Sequence, residues 1–129
     1  MAENLAERMP FSRLMGVEVE EAGKERIVGW LTVRPDLCTA GGILHGGAVM
    51  AFADALGAIG AVPSLPEGAK GTTTIESKTN FLGAAREGTR VRGVTTPLHA
   101  GGRTSVWTTR IEREGGRAVA MVTQTQLVL

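Results

Sequence analysis

The sequence predicts an α+β domain in which one curved antiparallel sheet wraps a single long helix, and three observations carry that reading. The stretch 46–62, GGAVMAFADALGAIGAV, is helical by its length and its Ala, Met, Leu and Phe content. It is apolar nearly all round, which marks a helix enclosed by other structure rather than one lying on a surface. Four β-branched stretches then follow, separated by turn residues. One apolar helix cannot bury itself and one antiparallel sheet has an apolar face to hide, so wrapping the sheet around the helix satisfies both. The lengths agree, since roughly 17 helical residues reach roughly 25 Å, about the span of a six- to eight-residue strand.

Taken in order, residues 3–9 set Leu5 and Met9 four apart among charges. This predicts a short amphipathic helix ended by Pro10, within an N-terminal helical segment over 1–15. Residues 17–22 read as a first strand and 26–33 as a second, stopped by Pro35. The segment 36–44 is rich in glycine and small residues and reads as a loop. Pro63 and Pro66 end the central helix. Residues 72–82, 89–98, 104–112 and 118–128 read as strands, with Ala100-Gly101-Gly102 and Glu114-Gly115-Gly116 as turns. Their short connections predict an antiparallel meander, and five to six strands in all.

A chain of 129 residues has room for one domain, 1–129. Its 14 Lys and Arg against 13 Asp and Glu leave a net charge of +1, which offers no bulk attraction to nucleic acid or to an anionic membrane. Any anion site must be local. Cys38 has no second cysteine to pair with, and one Cys with two His is too few for a thiolate and imidazole zinc site. The opening MAENLAERMP lacks the apolar stretch of a secretory signal. The run 37–66, interrupted only by His45 and Asp54 as ionisable groups, carries Gly-Gly pairs and prolines that suit a bilayer poorly. A cytoplasmic enzyme or binding protein, without membrane or nucleic-acid partner, is expected.

Asp54 is the most informative residue. It is the only ionisable group within 46–62 and sits between Ala53 and Ala55, with Met50, Ala51, Gly57 and Ala58 at helical-neighbour spacing. A carboxylate partly desolvated in this way costs stability, so its placement suggests a role; the plainer alternative is a cap or a buried pair with an arginine. Leu44-His45-Gly46-Gly47 opens the same helix. Glycines there permit close backbone approach and leave N–H groups along the positive end of the helix dipole, a donor site for a developing oxyanion. The alternative is a tight turn in which only glycine fits. Gly46 and Asp54 lie eight residues apart, hence about 12 Å along one helix. Both groups must approach one carbonyl to within ~3 Å if they serve one reaction. They would then come from different subunits, with two helices antiparallel side by side, and a catalytic reading requires a dimer.

The run GGILHGGAVMAFADALG, then Thr74-Ile75-Glu76, then Asn80-Phe81-Leu82-Gly83-Ala84-Ala85-Arg86-Glu87-Gly88, resembles the hotdog-fold thioesterases of the phenylacetate-pathway and 4-hydroxybenzoyl-CoA type. The likeness extends from the strand near Val17 to the last strand. It implies hydrolysis of an acyl-CoA, with Asp54 as nucleophile or general base and the Gly46 N–H polarising the thioester carbonyl. It also implies that Thr74 helps hold the water or the carboxylate. The assembly implied is a homo-oligomeric dimer of dimers, a homotetramer with active sites shared across the dimer interface. Many relatives have Asn or Gln six residues before the motif histidine, where this chain has Thr39, so the positioning of water or carbonyl there is altered. The resemblance further puts Arg103, Thr104 and Ser105 near the nucleotide, with Arg86 a second candidate for phosphate. Arg90 and Arg92 share one strand face by the period of two, and charged residues on a half-solvated sheet need no ligand.

Thiolate is a good leaving group, so no metal and no organic cofactor is expected. His45 is a candidate base, with hydrogen bonding to backbone at the helix entrance as its other reading. Nothing near Cys38 resembles a Cys–His pair, and His99 precedes a hairpin turn. Two rivals are a dehydratase or hydratase of the same fold, which would need a second acid near the histidine, and a non-enzymatic acyl-CoA binding protein. Trp30, Trp107, Phe11, Phe52 and Phe81 are candidates either for an aryl pocket or for the core.

Overall fold

The computed structural model describes residues 5–129, with residues 1–4 of the expected N-terminal segment outside the described part. A 3-10 turn at Leu5–Arg8 leads into a short helix α1, Pro10–Met15. Pro10 therefore opens a helix where the sequence reading had it close one. Its fixed φ suits the first helical position, where its missing N–H costs nothing. Strands β1 (Glu18–Ala22) and β2 (Ile27–Thr32) follow, then the 3-10 turn Pro35–Leu37 and the central helix α2 (Gly46–Ala61), continued by a 3-10 turn through Val62–Ser64. Strands β3 (Thr72–Phe81), β4 (Arg90–Ala100), β5 (Thr104–Arg113) and β6 (Ala118–Val128) complete the chain.

The six strands form one antiparallel sheet in the order β1-β2-β4-β5-β6-β3, with α2 against its inner face: the hotdog architecture. Strands β4, β5 and β6 form the expected meander, but β3 departs from it. It pairs with β6 at the far edge, from Thr72↔Val128 to Phe81↔Ala120. The connection back to β4 is held across the end of the sheet. There Leu44 N–H donates to Ala85 O, Glu87 N–H to Gly42 O and Gly88 N–H to Val33 O, so β3 and the helix-entry loop are fastened together. Short connections alone cannot predict this, because these bonds join segments distant in sequence.

The helix buries Val49, Phe52, Ala53, Leu56 and Ile59 against Ile27, Leu31, Val91, Trp107, Ile111 and Val122. It is not enclosed all round as its composition suggested. Gly47, Met50 and Asp54 are exposed, and Ala51 and Ala58 are half-buried, so one stripe of α2 faces away from the sheet. The stretch Gly46–Ser64 is long and apolar enough to cross a membrane by length and composition alone, yet half of that window is buried inside the fold, as in a core helix.

Two glycines set the distance between helix and sheet. Gly29 and Gly93 are directly paired on β2 and β4. A Cβ at Gly93 would come within 2.5 Å of Leu56 Cδ1, and one at Gly29 within 2.6 Å of Leu56 Cδ2. Leu56 is fully buried, so it has nowhere to turn. Gly93→Ala is expected to destabilise the fold by about 1–3 kcal/mol, the scale of an overpacked core, and to lower Tm by roughly 4–10 °C. Thermal unfolding checks it; an unchanged Tm would show that Leu56 can yield.

Candidate active site

Asp54 lies in the middle of α2 on its outward stripe, exposed in the single chain. The desolvation expected from its apolar neighbours is thus not provided by its own fold. Its partner is Thr74 of β3, whose hydroxyl donates to Asp54 Oδ1 at 2.9 Å. A β-bulge between Thr74 and Glu76 interrupts the β3–β6 register immediately after this residue. Bulges bend a strand and re-aim its side chains, here beside the carboxylate. Among the described residues no arginine pairs with Asp54.

The helix entrance is built by its own cap. His45 is extended, φ −63° and ψ 139°, and its Nδ1 accepts the Gly47 N–H at 2.9 Å while its own N–H donates to Leu37 O at 2.9 Å. An Nδ1 that accepts leaves the ring proton on Nε2. This is the loop-fixing role of the two offered for His45, and it occupies the amide of Gly47. The amide of Gly46 is left over: among the described residues, none accepts its hydrogen. At the first position of a 16-residue helix, that N–H stands at the positive end of the dipole. The Phe81 ring lies over Gly46, where an added Cβ would approach it to 3.2 Å. Gly46 and Asp54 are on the same helix, about 12 Å apart by its rise.

The other candidates divide. Thr39 is half-buried in the entry loop, its hydroxyl accepting the Gly41 N–H at 3.3 Å. Ser105, which the resemblance puts near the nucleotide, faces the inside of the sheet. It is buried, at 5% exposure, and its Oγ accepts the Trp107 indole N–H at 2.8 Å, because alternation on β5 turns it inward. Thr104 is half-buried on the opposite face, and Arg103 is exposed in the β4–β5 turn. Arg86 is exposed near the helix entrance, bridged to Ile43. The 11 residues of β4 separate Arg86 from Arg103, a contour of roughly 35 Å. Within one chain the two cannot hold the same phosphate. Arg90 stacks on Trp30 at 4.5 Å and Arg92 pairs with Glu112 at 3.3 Å, so the outer-face arginines are engaged without a ligand.

Cys38 donates its thiol to Arg34 O at 3.3 Å, and burial, followed by the charges of Glu87 and Asp36, pushes that thiol above its ordinary range. Such a cysteine is a poor nucleophile. Phe52 and Trp107 fill the core, whereas Phe11 and Phe81 are exposed.

Sequence reasoning missed two residues, Gln124 and Gln126 of β6. Both are buried, at 0% and 1% exposure, directly behind Thr74. Their signal was present: on the inward face of β6, glutamine occurs twice where Ala120 and Val122 lead the eye to expect apolar residues.

A carboxylate with one oxygen tethered and one unengaged, on a chain that also offers an open amide at a helix N-terminus, is equipped for acyl transfer. Such parts suit the hydrolysis of thioesters. Residues 41–120 match the family model described as the thioesterase superfamily, and the chain belongs to that family. It is 34% identical over 103 residues to the 1,4-dihydroxy-2-naphthoyl-CoA hydrolase of Escherichia coli strain K12, covering 80% of this chain and 74% of that one. Its structure is similar to thioesterase HI1161 from Haemophilus influenzae, with TM-score 0.89 and 26% identity over 100% of this chain and 90% of that one. It is also similar to a mutant of thioesterase PA1618 from Pseudomonas aeruginosa, with TM-score 0.90 and 25% identity over 98% and 90%.

Proposed function

We propose that the protein hydrolyses an aryl- or medium-chain acyl-CoA to the free acid and CoA, with Asp54 as nucleophile or general base and the Gly46 N–H as oxyanion donor. The observation that carries this reading is the Asp54 carboxylate, standing on the outward stripe of α2 with Oδ1 fastened by Thr74. Asp54 either attacks the thioester carbonyl or takes the proton of an attacking water. The carbonyl oxygen gains negative charge against the Gly46 amide, and CoA leaves as its thiolate. No metal or organic cofactor enters these steps.

A site combining residues about 12 Å apart on one helix needs two chains. The stripe Gly47, Met50, Ala51, Asp54 and Ala58 offers small side chains and one apolar one to a second helix, and small residues permit close approach. Packing there would remove Asp54 from bulk water, supplying the desolvation that a single chain lacks. The edge strand β3, with Ile75 and Phe81 each 56% exposed, is a second surface for such a dimer. A dimer of dimers in the cytoplasm is the assembly we assign. A groove of about 390 Å³ opens beside the first turn of α2, lined by the apolar Phe11, Leu14, Met15, Leu37 and Ala48 together with the Arg34–Asp36 ion pair. Its apolar part suits an aryl or aliphatic acyl group. Of the phosphate candidates, Arg86 lies at this end of the fold, while Arg103 and Thr104 would have to be contributed by another chain.

Free-thiol assays across aryl- and aliphatic-CoA thioesters test the activity, and thiol release is the expected result. Mixed oligomers test the shared site. Chains carrying Asp54→Asn and Gly46→Pro, each inactive alone, should recover thiol release when co-expressed, because a mixed dimer holds one intact site of its two. Mixed dimers that form but stay inactive would place both groups' work within one chain or elsewhere. Acyl-CoA binding without thiol release would instead favour a binding protein.

A further inference from the structure

We propose that Gln126, backed by Gln124, is a positioning residue that compels Thr74 to donate to Asp54 Oδ1 and so leaves Oδ2 as the reacting oxygen. The proposal rests on the reading of Asp54 as the catalytic carboxylate. Five groups form one path: Gln124 Nε2 donates to Ala53 O at 3.0 Å, and Gln126 Nε2 donates to Gln124 Oε1 at 2.6 Å. Gln126 Nε2 also donates to Thr74 Oγ1 at 2.7 Å, and Thr74 Oγ1 donates to Asp54 Oδ1 at 2.9 Å.

The direction of every bond follows from its first member. A backbone carbonyl only accepts, so Gln124 must turn its NH₂ toward Ala53. Its Oε1 then faces Gln126, which must answer with its own NH₂. The second hydrogen of that NH₂ goes to the Thr74 oxygen, and Thr74 is left with its single proton for Asp54. Thr72 stands on the acceptor side, its one hydroxyl proton shared between Gln126 Oε1 at 3.0 Å and Leu127 O at 3.1 Å. A flipped amide anywhere would set oxygen against oxygen in a buried place, so the path has one polarity.

The fold makes room for this path at some cost. Among the glycines of α2, Gly57 is the one whose added Cβ would run into the Gln124 amide, nearer than real Cβ atoms come. Its bare backbone lets the amide reach the carbonyl of Ala53, the residue before Asp54. The path therefore grips the catalytic position twice, by its side chain through Thr74 and by its helix turn through Ala53. Two wholly buried glutamines beneath an apolar helix are expensive unless their polar atoms find partners, and each side-chain nitrogen and oxygen here has one.

A double-mutant cycle on the purified full-length oligomer tests the idea, with kcat and KM measured by thiol release. Gln126→Met keeps the side-chain length and removes the donors. It should lower kcat about tenfold, the upper end of the scale for one neutral hydrogen bond, with KM within about twofold. Thr74→Val should lower kcat by a similar factor. If Gln126 acts through Thr74, the double variant should be no slower than Thr74→Val alone, whereas independent effects would multiply to about a hundredfold. A multiplicative loss, or Gln126→Met with an unchanged kcat, overturns the proposal. Should Gln126→Met not fold, Thr72→Val at the half-buried edge strand carries the same cycle: a loss of kcat that vanishes in the Thr74→Val background supports the proposal, and an additive or absent loss overturns it. Asp54→Asn run alongside separates the two levels. If it stays active, the reading of Asp54 fails; if it is inactive while Gln126 proves silent, only the present proposal does.

Discussion

Asp54→Asn is expected to lower kcat by at least ~100-fold, the usual scale for a missing acid–base group, while the protein keeps its fold and its oligomeric state. Asparagine has the same shape, and its Oδ1 still accepts the Thr74 hydroxyl that holds Asp54 at 2.9 Å. Only the second oxygen changes, from a carboxylate oxygen to an NH₂ that neither attacks a carbonyl nor takes a proton from water. The substitution keeps the Thr74 bond and removes a charge that the proposed helix pairing would take out of water, so stability should not fall. Thiol release and thermal unfolding, measured on the same preparation, check the two halves of this expectation. Hydrolysis near the original rate would remove Asp54 from the mechanism.

Gly46→Pro should lower kcat by about 10²–10³-fold, as removal of an oxyanion donor does, with little effect on KM. Proline at the first helical position keeps the helix and deletes only the N–H. His45, at φ −63° and ψ 139°, already has the conformation that a following proline demands. The remaining disturbance is the approach of the new Cβ to Phe81, 3.2 Å from its ring and 56% exposed, so the ring has room to yield. Gly46→Ala makes the same approach and retains the N–H. The loss in the proline variant beyond that in the alanine variant therefore measures the donor alone. Equal rates in the two would mean that the carbonyl oxygen is stabilised by something other than this amide.

Both expectations concern residues that were legible before any coordinates. Asp54 stands out because a single charge in an apolar helix has no local reason to be there, and Gly46 because glycine before a helix exposes its amide. The helix is also predicted nearly to the residue, 46–62 against Gly46–Ala61, since its signal is local composition closed by Pro63. The strands of the second half are likewise found within two residues of their ends, because β-branched stretches between glycine turns admit few other readings.

What local pattern cannot convey is which surfaces meet. Strand β3 was expected beside β4 and lies beside β6, because its place depends on bonds between the loops around Ala85 and Gly42. Ser105 accepts the Trp107 indole N–H, a contact the sequence does not announce, since the strand's alternation settles its face only once the sheet has an inside. Gln124 and Gln126 passed as ordinary strand residues until the helix was laid across them. The sequence by itself determined the elements, the isolated carboxylate and the helix-end amide, each being a property of neighbours along the chain. Only the tertiary structure decided that the carboxylate is held by a threonine, that the threonine accepts from a buried glutamine backed by a second, and that one stripe of the helix is left uncovered. Those are contacts between segments some twenty to seventy residues apart, and nothing in a local stretch of chain specifies its distant partner.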